Sequence, residues 1–123
     1  HFARHLLPQI NKAPGGAVIR INSRDAPHRG IGIQTAQKRA IDGYMEVLFE
    51  DVREYGTKVC TINPGFVNTS MVNPERVNPE LMMQPEDISQ VVQFILSTSA
   101  TACPTEITIQ PQRSPWKSTD MHL

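Results

Sequence analysis

Apolar positions change their period several times along the chain, and each change predicts an element. Phe2, Leu6, Leu7 and Ile10 recur at helical spacing until Pro14-Gly15-Gly16 interrupts them, so residues 2–12 read as the end of a helix with Pro8 as a kink point. Ala17-Val18-Ile19-Arg20-Ile21-Asn22 is a short β-branched run between glycines and a polar turn, which predicts a buried strand over 17–22. Residues 24–33 carry Pro27, Gly30 and Gly32 and read as a loop. From Thr35 to Tyr55 an apolar stripe (Ala36, Ala40, Ile41, Tyr44, Met45, Leu48, Phe49, Val52) opposes Lys38, Arg39, Asp42, Glu46 and Glu50, which predicts a long amphipathic helix stopped by Gly56. A strand over 57–63, an irregular Asn-, Pro- and Met-rich segment over 68–84, a helix over 85–97 and a strand over 105–110 complete the pattern. Pro85-Glu86-Asp87 opens that second helix with proline and two acids in its first turn, where they complement the helix dipole. Residues 112–123 read as a polar tail, frayed apart from Trp116.

A helix between two short buried strands implies a parallel crossover, and hence an α/β fold. The length, 123 residues, suits one core. With 12 basic and 12 acidic side chains the net charge is +0, so no overall field would gather nucleic acid or an anionic membrane surface. No apolar run reaches the length of a membrane helix. Two cysteines and no secretory leader fit a reducing, cytoplasmic setting. The chain opens on His1 inside an apolar pattern with no capping residue ahead of it, as a fragment starting within an element would. The four histidines are scattered and neither cysteine has a partner at ligand spacing, so no metal site is expected.

Four runs carry the candidate chemistry. Ile21-Asn22-Ser23 closes the first strand, and Ala36-Gln37-Lys38-Arg39-Ala40 lies early in the long helix. Asn63-Pro64-Gly65-Phe66-Val67-Asn68-Thr69 follows the second strand, and Met83-Gln84-Pro85-Glu86-Asp87-Ile88 opens the second helix. Alone, Ser23 would be a turn serine, Lys38 a solvated lysine and Pro64-Gly65 a turn. In this order, over residues 13–111, they resemble the second half of a short-chain dehydrogenase/reductase subunit. The resemblance implies a Rossmann-like doubly wound parallel sheet, of which residues 1–111 would be the C-terminal portion only. It also implies NAD or NADP as cofactor and a small carbonyl or alcohol as substrate. Ser23 would polarise the substrate oxygen, Lys38 would hold the nicotinamide ribose, and Pro64, Gly65, Val67 and Thr69 would face the nicotinamide carboxamide.

The same resemblance locates a departure. Its Tyr-x-x-x-Lys motif requires tyrosine four residues before Lys38, and this chain has Gln34. A glutamine amide can hydrogen-bond a carbonyl but has no proton to exchange near neutral pH. Tyr44 and Tyr55 lie at least a turn beyond Lys38 on the same helix, which leaves His28, in the preceding loop, as the other titratable donor. The phosphate-cradling run Thr-Gly-x-x-x-Gly-x-Gly is absent from the sequence; Gly15-Gly16 and Gly30-x-Gly32 have neither its spacing nor an expected following helix. Two functions follow as expectations: an oxidoreductase of this type, lacking its dinucleotide-binding half here, or a catalytically silent relative serving binding or assembly. The family's pairing of the matching helix implies a homo-oligomer through 35–55. Ile41, Met45, Leu48, Phe49 and Val52 are also a broad set for one thin sheet to cover.

Overall fold

The computed structural model describes residues 6, 8–11, 15–22, 30, 32–68 and 74–117. Strands β1 (Ala17–Ile21), β2 (Lys58–Pro64) and β3 (Glu106–Ile109) form a sheet in that order, and both pairings are parallel. Helix α1 (Gly32–Val52) connects β1 to β2 and helix α2 (Pro85–Ser97) connects β2 to β3. The alternation of each strand sorts its side chains between these helices. Val18 and Val59 pack with Met45, Leu48, Val52 and Phe49 of α1. Ile19, Cys60, Ile62, Ile107 and Ile109 pack on the other face with Val91, Val92 and Ile95 of α2. The parallel, doubly wound arrangement expected from the sequence is therefore present.

Helix α1 starts at Gly32, three residues ahead of the expected start, so a helix does follow Gly30-x-Gly32. Gly30, with φ of 94°, makes the entry turn, and glycine costs little at a helix end, where interior propensity does not apply. The run still lacks the glycine spacing of a phosphate cradle. A short 3-10 turn (Arg53–Tyr55) extends α1, and Gly56, with φ of 79°, ends it in the left-handed region. The 21 residues of α1 span about 31 Å, whereas the seven of β2 span about 23 Å. Its first buried residue is Met45, so apolar burial against the sheet is confined to its C-terminal part. Of the five apolar residues expected to be too many for one sheet, Met45, Leu48 and Val52 pack on it with Phe49 half-buried beside them, while Ile41 stays exposed. The apolar residues left outward are Ile33, Ile41, Tyr44 and Val47.

The irregular segment after β2 is clamped at its feet. Val67 bridges Met83 in parallel, the Asn68 N–H donates to the Met83 carbonyl at 2.8 Å, and the Met83 N–H donates to the Phe66 carbonyl at 3.0 Å. A 3-10 turn (Pro79–Leu81) precedes α2, whose start is capped as the sequence implies. The Gln84 N–H donates to the Asp87 carboxylate at 2.8 Å. The described part of the tail is not frayed. Trp116 bridges Val77, the Asn78 N–H donates to the Pro115 carbonyl at 2.7 Å, and the Trp116 ring meets Phe66 edge-on at 5.2 Å. A large aromatic offers enough apolar area to hold a short polar segment in place.

Candidate active site

In a parallel α/β sheet, ligands collect beyond the carboxyl ends of the strands, because the connections diverge there. In this chain those ends are Ile21-Asn22 and Asn63-Pro64-Gly65, and α1 starts from the same side. The backbone N–H of Asn22 donates to the Ile62 carbonyl at 2.8 Å. Its side-chain amide donates to Asn63 Oδ1 at 2.9 Å, so the residues preceding Ser23 and Pro64 are in direct contact. Gln34 is exposed in the first turn of α1 and Lys38 is half-buried one turn later on the same side of the helix. Pro64 ends β2, with Gly65 following, both half-buried, and Val67 is half-buried in its bridge to Met83. Ser23, Thr69 and His28 lie outside the described residues. Tyr44 and Tyr55 are exposed further along, at 44% and 65%, which places neither beside Lys38's preceding turn.

Asn22 and Asn63 belong to a longer chain of polar contacts that the sequence reading did not single out. Arg20 Nη1 donates to the Asp42 carboxylate on α1, and Arg20 Nη2 donates to Asn22 Oδ1 at 3.0 Å. Asn63 Nδ2 in turn donates to Glu106 Oε1 on β3 at 2.7 Å. The one available signal was polar residues at alternate positions of apolar strands, Arg20 and Asn22 in one and Thr61 and Asn63 in the other, all on the α1 side.

A Cβ added at Gly65 would meet the end of the exposed Gln110 side chain, which can swing aside, and would stand 3.1 Å from the Pro111 ring. Cys60 is fully buried, and burial first, then the nearby Cys103 and Glu106 charges, pushes its thiol up to about 11. It stays protonated near neutral pH and serves as a core residue rather than a nucleophile. A groove of about 410 Å³ lies between α1 and β3 and is lined by the carboxylates of Asp42, Glu46, Glu50 and Glu106, a poor environment for phosphates. Among the described residues no group of three or more His, Cys, Asp or Glu side chains could hold a metal ion, and no helix is long and apolar enough to cross a membrane.

Comparison with known proteins matches residues 1–80 to the short chain dehydrogenase family model. An uncharacterized oxidoreductase of Staphylococcus epidermidis is 26% identical over 113 residues, covering 90% of this chain and 49% of that protein. A 3-ketodihydrosphingosine reductase of Bacteroides thetaiotaomicron is 34% identical over 73 residues, covering 56% of this chain and 26% of that protein. Among solved structures, a betaketoacyl-ACP reductase from Bacteroides thetaiotaomicron superposes with a TM-score of 0.68 at 27% identity, over 79% of this chain and 40% of that one. A metagenomic short-chain oxidoreductase in complex with NADP gives a TM-score of 0.68 at 23% identity, over 91% and 45%, a likeness of fold. The chain spans about half the length, or less, of the relatives it matches.

Proposed function

Because the chain belongs to the short-chain dehydrogenase family, we propose that it supplies the lysine-bearing half of a cytoplasmic, NAD(P)-dependent oxidoreductase that interconverts small carbonyls and alcohols. The observation that carries this reading is convergence at one end of the parallel sheet. The Asn22–Asn63 hydrogen bond of 2.9 Å joins the strand ends that lead into Ser23 and Pro64-Gly65. The helix that starts from that end carries Gln34 and Lys38 in its first two turns. Ser23 would polarise the substrate oxygen by hydrogen bonding. Lys38, half-buried, would hold the nicotinamide ribose. The backbone of Pro64, Gly65 and Val67, with the Thr69 hydroxyl, would face the carboxamide. NAD or NADP, when bound, supplies or accepts the hydride. Gln34 can orient the carbonyl but cannot pass it a proton.

Gln34 also favours a second reading, a catalytically silent relative that retains the fold for binding or assembly. Oxidation of NADH or NADPH by the natural full-length polypeptide, followed against a panel of small ketones and aldehydes, separates the two. Sustained turnover supports the oxidoreductase. Cofactor binding with no turnover supports the silent relative.

The residues present fit only the nicotinamide end of the cofactor, since the sequence contains no phosphate-cradling glycine run and the groove between α1 and β3 is anionic. Purified residues 1–123 are accordingly expected to bind NADH and NADPH weakly. A dissociation constant in the micromolar range by calorimetry, carried by this chain alone, would contradict that. The outward Ile33, Ile41, Tyr44 and Val47 on α1 further support self-association through this helix. Sedimentation velocity should show an oligomer, and a monodisperse monomer at high concentration would remove it from the reading.

A further inference from the structure

We propose that Arg20, Asn22, Asn63, Asp42 and Glu106 form a directional hydrogen-bond relay that positions the candidate catalytic groups relative to one another. This deepens the oxidoreductase reading and rests on it. The relay runs from α1 through β1 and β2 to β3, as Asp42, Arg20, Asn22, Asn63 and Glu106 in order. The three connections from Arg20 onward to Glu106 are 2.7–3.0 Å long. Its direction is fixed by its ends. A guanidinium can only donate and an ionised carboxylate can only accept, so both amides must turn their oxygen toward Arg20 and their nitrogen toward Glu106. Reversing one amide would set donor against donor or oxygen against oxygen.

The relay's members stand beside the groups they would position. Asn22 immediately precedes Ser23, Asn63 immediately precedes Pro64-Gly65, and Asp42 is one turn beyond Lys38 on α1. The last of these relations matters most. Apolar burial on α1 begins only at Met45. The Arg20–Asp42 ion pair therefore engages α1 ahead of its apolar anchor, on the side of the helix toward Lys38. Arg20 is well placed for this, with its side chain only 14% exposed, whereas a fully solvated pair would contribute little. Arg20, Asn22 and Asn63 are positioning residues: they act through Ser23, Lys38 and Pro64-Gly65 rather than on a ligand.

The direction of the relay supplies its own test. Asn22→Asp keeps the acceptor for Arg20 but removes the donor toward Asn63. Asn63 can then satisfy the new carboxylate only by turning its nitrogen toward it, which sets its oxygen against Glu106. Glu106→Gln alone retains an acceptor oxygen and is expected to change little. In the double variant, the amide introduced on β3 can donate to the reversed Asn63, and the relay closes again with its outer half inverted. In the natural full-length polypeptide, the readouts are kcat/KM for NAD(P)H oxidation and hydrogen–deuterium exchange of the amides from Gln34 to Ala40. Asn22→Asp should lower kcat/KM about tenfold or more, given that misplacement of about 1 Å can cost roughly 100-fold. It should also speed exchange over Gln34–Ala40 while leaving α2 unchanged, and the double variant should recover both. Three results would overturn the proposal. They are a loss of kcat/KM with unchanged exchange over Gln34–Ala40, no effect of Asn22→Asp on either readout, and a double variant no better than Asn22→Asp. A natural protein that turns over nothing would remove the oxidoreductase reading alone, because the exchange cycle still decides whether the relay holds α1 against the strand ends.

Discussion

Gln34→Tyr in the natural full-length polypeptide is expected to raise kcat by roughly 10²- to 10⁴-fold, the usual contribution of a positioned general acid. The position suits the exchange. Gln34 is exposed in the first turn of α1, so a larger ring meets no packed neighbour layer and the fold should tolerate it. Lys38 lies one turn away on the same side, where its charge would favour the phenolate and bring the tyrosine closer to its working pKa. Cofactor affinity should change little, since the gain comes from proton delivery in the transition state and not from ground-state contacts. Steady-state kinetics that separate kcat from KM decide this, and an unchanged kcat would mean that Gln34 is not at the reacting centre. A natural protein already turning over at an ordinary rate of about 10 s⁻¹ would need another proton donor. His28→Ala is the variant to make in that case, and an unaffected rate would place the active site elsewhere.

The second large effect concerns the core. Ile62→Ala is expected to destabilise the protein by about 2–5 kcal/mol, the range for removing a fully buried aliphatic side chain. Ile62 has 0% exposure and packs with Cys60 and Ile95 between β2 and α2. Against a total stability of about 5–15 kcal/mol, that loss lowers the folded population severely. It would also reach the candidate site, because the Ile62 carbonyl accepts the Asn22 N–H and Ile62 directly precedes Asn63. Leu96→Ala, at 53% exposure on α2, serves as the control and should shift the urea midpoint by no more than about 0.5 kcal/mol equivalent. Equal shifts for the two variants would contradict the assignment of the core.

The strands are legible because each is a short β-branched run, and the structure places all three within one or two residues of expectation. Helix α2 is legible to the residue through Pro85 and its following acids. The start of α1 is not, since Gly30 and Gly32 read as breakers although one makes the entry turn and the other opens the helix. The tail escapes for a related reason: a polar stretch gives no periodic signal, and Trp116 acts through Phe66, 50 positions earlier in the chain. Local pattern likewise cannot reveal the Arg20–Asp42 and Asn22–Asn63 pairs, which are 22 and 41 residues apart. The candidate site is legible only as motif order, through Lys38 and Pro64-Gly65. Motif order says nothing of what stands beside Gly65, where the nearest side chains are Gln110 and Pro111.

An all-parallel sheet also has consequences for how the chain reaches its fold. Every strand pairing joins register partners such as Ile19 and Cys60 or Ile62 and Ile107, about forty residues or more apart, and such high contact order slows folding toward the millisecond-to-second range. No hairpin between these strands can form early and nucleate the sheet. During synthesis, Val59, Cys60 and Ile62 emerge before β3 exists to cover their second edge, so the most buried strand spends time half-paired. That interval is when the nascent chain is most exposed to aggregation, and it is where a chaperone would act.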